Sequence, residues 1–564
     1  MQQHPENRAP GARKRYAGRR VALWLLASGI ALELVYLALY PLLARAGQVI
    51  ASDPVQHALP DNFPWLPWLY WTRLLPGLTR LLARTPWLDP ANTLGSANLL
   101  LILLALASIF VLLAAHTGSR AARGIYSQLS RRDEYALFWI MLLLTALFGV
   151  TMLYAPIVYS ALSQDMLLYG LYGRMVVIYH VNPYAFAPAA FAHNLLPGTP
   201  ALQQPATIPY GPVWIDLSIL ATLPMGDSIA SIVQGFRLIG LVAHILNAVL
   251  LWLILAKFRS AIRISATLLY AWNPLVLLLS VTAMHQEVVV IAWLLLAIFF
   301  FQRKSLVVGW IFTLLAVLTN PASLPLLPLF LHMMAKKKRM QRRGFAAGWW
   351  FGTLAISGLL VALTCAPYWQ GWSLAGIAAN FSTPFWQGNA LNSLDAAVLN
   401  LPMQLPEPLL WLFAPHHWSV VALVITGIFL LLSLWLADTL ELTLLAGGWL
   451  LLLQLVLLPT YWPWYVLLPF VLALCSTKPS TILLAALFLF AALIGCYCWL
   501  RYPVWAGSGL VIVGLPLLLW GWTIFLTTTW RMMHRGDEEP FERQFSRPRL
   551  SRPPWLSRSS RPGN

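Results

Sequence analysis

Residues 94–116 read LGSANLLLILLALASIFVLLAAH and contain no Asp, Glu, Lys or Arg. A helix needs about 20 apolar residues to cross a hydrocarbon core of ~30 Å, so this stretch is long enough to span a membrane. Similar runs recur from residue 20 to residue 529 of a chain of 564 residues. The chain is 59% hydrophobic and 10% charged, with a mean hydropathy of +0.70, which is too apolar for a soluble globular protein of this size. The sequence therefore predicts an all-α polytopic membrane protein.

The apolar runs predict about fourteen transmembrane helices, several of them shorter than the usual ~20 residues. The predicted spans are 20–45, 94–116, 136–156, 229–256, 264–282, 286–302, 305–319, 321–335, 345–366, 419–437, 439–459, 462–477, 480–500 and 507–529. A further apolar segment, IPYGPVWIDLSILATLP at 208–224, contains Asp216 and would reverse the side of every later loop if it crossed the membrane. We expect it to form a re-entrant or interfacial helix on the outer face.

Basic residues give these spans an orientation. With the N-terminus inside, the basic clusters at 120–132, 257–263, 303–304 and 336–343 all fall on the inner side, as the positive-inside bias requires. Both Arg-rich tails are then cytoplasmic, and a nucleic-acid partner is not needed to explain the net charge of +18. The charges predict an integral plasma membrane protein whose large loops face outside.

The same pattern predicts three parts of the chain. A basic cytoplasmic tail at 1–19 precedes a membrane domain at 20–529, and a basic, disordered tail follows at 530–564. Within the membrane domain, the outer loop at 157–228 is predicted to carry the chemistry. The cysteines lie in or at the ends of apolar runs, which predicts free core thiols rather than disulfides or a metal site. They are Cys365, Cys475, Cys496 and Cys498.

The stretch SQDMLLYGLYGRMVVIYHVNPYAFAP at 163–188 contains a single acid, Asp165, about ten residues past a predicted span. A carboxylate at the membrane surface can take a proton from a hydroxyl nucleophile, although a solvated or helix-capping acid is the simpler alternative. Tyr169 and Tyr172 follow at i+4 and i+7, so on a helix they share the face of Asp165. Arg174 offers a cation in the same segment.

Further candidate residues lie at turns in the predicted outer loops. Asn182-Pro183-Tyr184 is predicted to end the helix, because proline disfavours helical backbone at the residue before it. Tyr210 lies in the turn IPYGP, which can return it toward the first loop or be an ordinary turn. The aromatic turn PTYWPWYVLLP at 459–469 contains Trp464 and Tyr465, which are either interfacial belt residues or a platform for a sugar or an isoprenoid chain.

The stretch AWNPLVLLLSVTAMHQEVVV at 271–290 places polar residues at membrane depth. Asn273 precedes a proline that should kink the span, and His285 and Glu287 lie together at its outer end. Ionisable residues in a span are functional candidates, here for a sugar hydroxyl, a phosphate or a metal, while a structural His–Glu pair is the alternative. Asn320 in LTNPAS is a candidate from the next outer turn, or a turn residue only.

Eight short motifs follow one another along the chain. They are S-Q-D (163–165), Y-G-L-Y-G-R (169–174), N-P-Y (182–184), Y-G-P (210–212), W-N-P-L (272–275), M-H-Q-E (284–287), T-N-P (319–321) and P-W-Y (463–465). No tripeptide is specific alone, but the ordered set resembles the membrane-embedded GT-C glycosyltransferases. The nearest resemblance is to the bacterial polyprenol-phosphate-mannose-dependent mannosyltransferases. The chain departs from it with Gln286-Glu287 where relatives often have Asn-Asp, and with Asn320 where they often have Lys.

The resemblance implies an inverting transfer of a hexose, expected to be mannose, from a polyprenyl-phosphate carrier to a glycan or lipid acceptor at the outer face. Asp165 matches the general base of the family. The residues expected to bind substrate are Tyr169, Tyr172, Arg174, Asn182, Tyr184, Tyr210, Asn273, His285, Glu287, Asn320, Trp464 and Tyr465. No cofactor is implied with certainty, and the need for a divalent cation stays open.

Two other functions fit the composition. A transporter or flippase of lipid-linked glycans would use the same cavity, but it would need several charges that pair or move, and this core has few. A membrane scaffold would bind anionic headgroups through its basic tails and would not need Asp165. The transferase is the leading hypothesis.

Overall fold

The computed structural model describes the greater part of the chain. The described residues are 10–46, 65–125, 131–156, 164–186, 191, 210–223, 229–258, 262–341, 347–368, 393–399, 401, 405–457, 461–476, 478–501 and 510–543. The chain divides into two compact units, residues 1–516 and 517–564. Residues 1–9 and 544–564, at the ends of the two predicted tails, lie outside the described residues. So do residues 157–163, 187–190, 192–209 and 224–228 of the predicted outer loop.

Helices make up the secondary structure, and no strand occurs in the described ranges. The helices are α1 (Pro10–Ala46), α2 (Trp71–Leu74), α3 (Pro76–Ala83), α4 (Thr93–Ile125), α5 (Arg131–Leu153), α6 (Gln164–Val177), α7 (Pro212–Thr222), α8 (Ile229–Phe258), α9 (Arg263–Ala271), α10 (Pro274–Leu277), α11 (Glu287–Gln302), α12 (Leu306–Thr319), α13 (Leu326–Gln341), α14 (Ala347–Cys365), α15 (Leu394–Leu399), α16 (Glu407–Phe413), α17 (Pro415–Leu436), α18 (Leu440–Leu457), α19 (Leu467–Cys475), α20 (Pro479–Arg501) and α21 (Leu515–Arg543). The predicted all-α membrane class is confirmed.

The predicted number of spans is too high. In the described part of the chain, nine helices are long and apolar enough to cross a membrane, or ten if the bent pair Arg263–Ala271 and Pro274–Thr282 counts as one span. The four predicted spans at 286–302, 305–319, 321–335 and 462–477 correspond instead to short helices and 3-10 turns. The longest apolar helix among them, α11, has 16 residues. At 1.5 Å per residue it extends about 24 Å, less than a ~30 Å core.

The tenth candidate span is broken in the middle. Asn273 ends the first half, and its side-chain oxygen accepts bonds from the backbone N–H groups of Leu275 and Val276, 3.0 and 3.2 Å away. A π-helical turn follows at Leu278–Thr282. Met284 then has a φ of 43°, in the left-handed region that a side chain other than glycine rarely adopts. The predicted kink at Pro274 is thus one part of a longer irregular segment that ends at His285.

The segment 208–224 contains α7, a helix of 11 residues. Such a helix is about 16 Å long and too short to cross the membrane by itself. It packs against α6, and its N-terminal turn approaches the end of α12 very closely. The N–H of Gly211 donates to the carbonyl of Thr319 at 3.1 Å. A Cβ at Gly211 would lie 1.9 Å from the carbonyl oxygen of Leu318, so only glycine fits there.

Candidate active site

Asp165 lies in the first turn of α6, and its side chain is 26% exposed. A carboxylate at a helix N-terminus is stabilised by the unpaired backbone N–H groups there. The helix also orients the two tyrosines that follow. Tyr169 and Tyr172 are both buried, and the charge of Asp165 acts on both phenols. The predicted shared face of Asp165, Tyr169 and Tyr172 is therefore what α6 presents to the interior.

His285 lies beside Asp165, although 120 residues separate them in the chain. Its Nδ1 is 3.3 Å from Oδ2 of Asp165, and its side chain is fully buried. The two atoms are at ion-pair distance but do not have the alignment of a hydrogen bond, and Nε2 is among the buried polar atoms without a partner. Catalytic contacts are often loose in the absence of substrate, so this geometry is compatible with a working pair.

Trp464 fixes the plane of the His285 ring. The two rings are nearly parallel, with centroids 3.7 Å apart. Trp462 is also stacked on Trp464, with centroids 4.8 Å apart. Two rings this close to one centroid cannot lie side by side on one face, so they cover the two faces of Trp464. The indole is therefore a support for the imidazole and has no open face left for a sugar ring.

Glu287 completes the buried side of the site. It is 5% exposed, and its Oε1 accepts a bond from Asn320 Nδ2 at 3.4 Å. Asn320 is itself fixed, because its side-chain oxygen accepts from the N–H of Ala322 at 2.9 Å. Oε2 of Glu287 and the side-chain oxygen of Gln286 are buried without a recorded partner. Buried polar atoms are nearly always hydrogen-bonded, so these atoms point to a polar ligand.

A cluster of phenols forms the opposite wall. The ring of Tyr210 contacts those of Tyr169 and Tyr172 edge-on, with centroids 5.2 and 6.3 Å apart. Burial, and secondarily the nearby carboxyl groups of Glu287 and Asp165, raises the pKa of Tyr465 above its usual range. Burial, and secondarily the charge of Asp165, raises the pKa of Tyr172 far above its usual range. The Tyr172 hydroxyl is therefore neutral and available as a hydrogen-bond donor.

Asn182 and Tyr184 lie behind this wall and stabilise it. The side chain of Asn182 donates to the carbonyl of Tyr368 at 2.6 Å and accepts from the N–H of Tyr184 at 3.0 Å. The hydroxyl of Tyr184 donates to the carbonyl of Tyr210 at 2.7 Å. Tyr368 in turn donates its hydroxyl to Asp216 at 2.7 Å. These contacts fix Tyr210, whereas the sequence indicated direct substrate contact for Asn182 and Tyr184.

Two predicted site residues lie apart from Asp165. Arg174 is nine residues further along α6, which is about 13 Å along the axis and half a turn round to the opposite face. Asn273 caps α10 and borders a separate small apolar cavity with Ser108 and Phe470. The structure therefore brings together Asp165, His285, Glu287, Asn320, Trp464, Tyr465, Tyr169, Tyr172 and Tyr210.

One buried cation was missed by the sequence analysis. Arg237 in α8 is 1% exposed. Its guanidinium donates to four backbone carbonyls, those of Leu153, Ala155, Pro156 and Thr282, at 3.1, 2.5, 3.3 and 2.9 Å. It lies in the run GFRLIG at 235–240, and a lone arginine in an apolar span is the signal that could have found it.

The described residues hold no group of three or more His, Cys, Asp or Glu side chains that could bind a metal ion. Cys365, Cys475 and Cys496 are free thiols, whereas the side chain of Cys498 is outside the described set. Cys475 and Cys496 are buried, as predicted for core thiols, whereas Cys365 is half-buried.

Comparison with known proteins adds one finding. Residues 72–336 match the family described as alpha-(1->6)-mannopyranosyltransferase, N-terminal domain (MptA_B family). The matched segment contains α6 and the irregular turn before α11, which carry Asp165 and His285. No curated protein and no solved structure matches the chain. The match covers less than half of the chain, and it indicates a glycosyltransferase that is similar to this mannosyltransferase family.

Proposed function

Since residues 72–336 belong to the alpha-(1->6)-mannopyranosyltransferase family, we propose that the protein transfers mannose from a polyprenyl-phosphate carrier to an acceptor hydroxyl, with Asp165 as the general base. The observation that carries the proposal is the contact between Asp165 and His285. It places a partly exposed carboxylate beside the buried polar side chains of 285–287. A general base must be reachable by the incoming hydroxyl and also held in place, and this carboxylate meets both conditions.

The proposed reaction is a single displacement. The acceptor oxygen attacks the anomeric carbon from the side opposite the phosphate, and its proton passes to the Asp165 carboxylate as the new C–O bond forms. The bond between the anomeric carbon and the phosphate oxygen breaks, and the polyprenyl phosphate leaves with the bonding electrons. The configuration at the anomeric carbon is inverted. Phosphate is a good leaving group, so catalysis needs a base and correct positioning more than an acid.

The pocket beside Asp165 suits a sugar. His285 Nε2, the side-chain oxygen of Gln286 and Oε2 of Glu287 are three buried polar atoms without recorded partners. They belong to three consecutive residues, the last of which is the first residue of α11. Hydroxyl groups both donate and accept hydrogen bonds, so a hexose could satisfy all three atoms. The neutral phenols of Tyr169 and Tyr172 supply further contacts on the other side.

A membrane-dissolved donor agrees with the surroundings of the site. The described residues contain at least nine helices long and apolar enough to cross a membrane, so a polyprenyl tail can remain in the bilayer while its head group reaches the site. The basic clusters at 120–132 and 257–263 adjoin helices long enough to span the membrane, and the positive-inside bias for these two clusters supports a site on the outer face. We propose this side of the plasma membrane, with both termini cytoplasmic.

The test compares the full-length protein with Asp165→Asn in liposomes that contain radiolabelled polyprenyl-phosphate mannose and a lipid extract as acceptor pool. We expect the native protein to move label to a new product and Asp165→Asn to lose 10²-fold or more of the rate, because general bases contribute about 10²–10⁴-fold. The matched control is Asp216→Asn, which keeps the bond from Tyr368 and should keep full activity.

Either of two results would count against the proposal. Equal transfer by native protein and Asp165→Asn would show that another group takes the proton. Absence of transfer by the folded native protein, together with movement of intact donor across the bilayer, would support the flippase alternative. Measuring donor translocation in the same vesicles separates these cases.

A further inference from the structure

The irregular turn at 278–285 places His285 beside Asp165. Its backbone conformation is unfavourable without contacts from the surrounding structure. It contains a π-helical turn at Leu278–Thr282, which is a rare conformation found mostly at functional sites. Met284, the residue directly before His285, has a φ of 43°. Backbone in this region is strained for a residue with a side chain, so contacts from the surrounding structure must maintain it.

Arg237 supplies these contacts. Its Nε donates to the carbonyl of Thr282 at 2.9 Å, three residues before His285. Its terminal nitrogens donate to the carbonyls of Leu153, Ala155 and Pro156 at the end of α5. These carbonyls belong to or follow the last turn of α5, where a helix can no longer supply its carbonyls with intrahelical donors. One guanidinium therefore joins the turn before His285 to the end of α5, the helix that precedes Asp165 in the chain.

Two further contacts fix the same turn. The hydroxyl of Thr282 donates to the carbonyl of Met152 at 3.1 Å, also in the last turn of α5. Gly240 lies three residues after Arg237 on the same face of α8, and a Cβ there would be 2.3 Å from the carbonyl oxygen of Ser280. The close approach of α8 to the turn brings the guanidinium within reach of Thr282.

We infer that Arg237 is a positioning residue, which fixes the turn at 282–285 so that the imidazole of His285 meets the carboxylate of Asp165. Lysine cannot replace it fully, because an ammonium has three donors on one atom, whereas the guanidinium spreads five donors over a rigid plane. If Arg237 only stabilised the fold, the effect of its substitution on activity would be the same whether or not His285 is present. The inference rests on the proposed transferase function for its kinetic readout.

The first test is independent of activity. Hydrogen exchange of the peptide covering 278–290 is compared between native protein and Arg237→Lys. We expect faster exchange of this peptide in the variant, because the turn loses part of its support. The matched control is His244→Gln, which removes a buried side chain from the same helix; its contacts are with the carbonyl of Ala271 and the ring of Tyr270. Unchanged exchange in Arg237→Lys would overturn the inference, whether or not transfer is observed.

The second test is a double-mutant cycle with His285. We expect Arg237→Lys to lower kcat on the order of 10- to 100-fold with a smaller change in KM, as small misplacements of a site residue do. In a His285→Gln background the same substitution should have little further effect, because its action passes through His285. An equal loss of kcat from Arg237→Lys in the native and His285→Gln backgrounds would show that Arg237 has a structural role only.

If Arg237→Lys does not fold, Thr282→Val removes the other side-chain bond of the turn with little change in shape. Thr282→Val should also give faster exchange of the 278–290 peptide and a lower kcat that depends on His285, with a smaller loss of kcat than Arg237→Lys. The outcomes also separate the two proposals. Loss of activity in Asp165→Asn with normal activity in Arg237→Lys would refute only the role of Arg237. An inactive native protein would refute the transferase, while the exchange measurement would still decide on the turn.

Discussion

Nδ1 of His285 lies 3.3 Å from Oδ2 of Asp165, and this contact joins the start of α6 to the end of the broken span. The sequence indicated each residue separately but not their pairing. A histidine held by a carboxylate on one nitrogen presents its other nitrogen in a defined direction, as in other acid–histidine pairs. In the proposed mechanism, with Asp165 as the general base, this pairing places His285 next to the reacting atoms.

We predict that His285→Gln lowers kcat by about 10²-fold, because the pair with Asp165 is lost while a polar side chain of similar size remains. The measurement is mannose transfer in liposomes at saturating donor. His244→Gln is the control for loss of a buried histidine and should retain most of the activity. If both substitutions reduce the rate equally, loss of a buried imidazole explains the effect and the pairing does not.

The stack on Trp464 gives a second prediction. Trp464→Phe keeps an aromatic face against His285 and should remain within about threefold of native activity. Trp464→Leu removes the stack, which is worth about 0.5–1.5 kcal/mol in aromatic pairs, and should lower kcat up to about tenfold. The quantity to measure is the ratio of the kcat values of Trp464→Phe and Trp464→Leu. A larger rise in donor KM than fall in kcat would instead indicate that Trp464 contacts the sugar.

The bond from Asn320 to Glu287 predicts a stability effect. Asn320→Leu leaves the buried carboxyl without its recorded donor, which costs about 1–3 kcal/mol. We expect a lower melting temperature in detergent for this variant. In Glu287→Gln the amide oxygen can still accept the bond, so this variant should melt close to native. Equal melting of native protein and Asn320→Leu would mean that the 3.4 Å contact contributes nothing.

The approach of Gly211 to Leu318 predicts a strict size limit. Gly211→Ala places a Cβ 1.9 Å from a backbone oxygen that cannot rotate away, so the two segments must separate. Overpacking of this kind typically costs about 1–3 kcal/mol. Gly352→Ala is the matched control, since its Cβ would meet nothing within 4 Å inside a helix. Yield of monodisperse protein and melting temperature should fall for Gly211→Ala only.

The tyrosines give a prediction for pH. Burial raises the pKa of Tyr172, and the charge of Asp165 raises it further, so the phenol stays protonated as the pH rises through its ordinary value. The alkaline side of the activity profile should therefore have the same shape in native protein and in Tyr172→Phe, whatever the level of activity. A native alkaline loss near pH 10 that disappears in Tyr172→Phe would show that this phenol titrates in the usual range.

The sequence was most informative for the long charge-free runs. In the described part of the chain, residues 94–116 and eight other runs form helices long enough to cross a membrane, because a helix satisfies its backbone hydrogen bonds internally. It was least reliable for 286–335, where apolar composition continues through helices of 16 and 14 residues. Hydropathy cannot distinguish a short buried helix from a span when both are apolar on every side.

The sequence by itself determined the class of the protein, its broken span at Pro274 and its set of candidate polar residues, because local composition fixes burial in a membrane. The tertiary structure alone decided which candidates meet. It joined His285 to Asp165, covered both faces of Trp464, and placed Asn182 behind the pocket and Asn273 away from it. It also showed Arg237 bonded to carbonyls from two segments. Such pairings depend on how distant helices pack, and local composition does not record the packing.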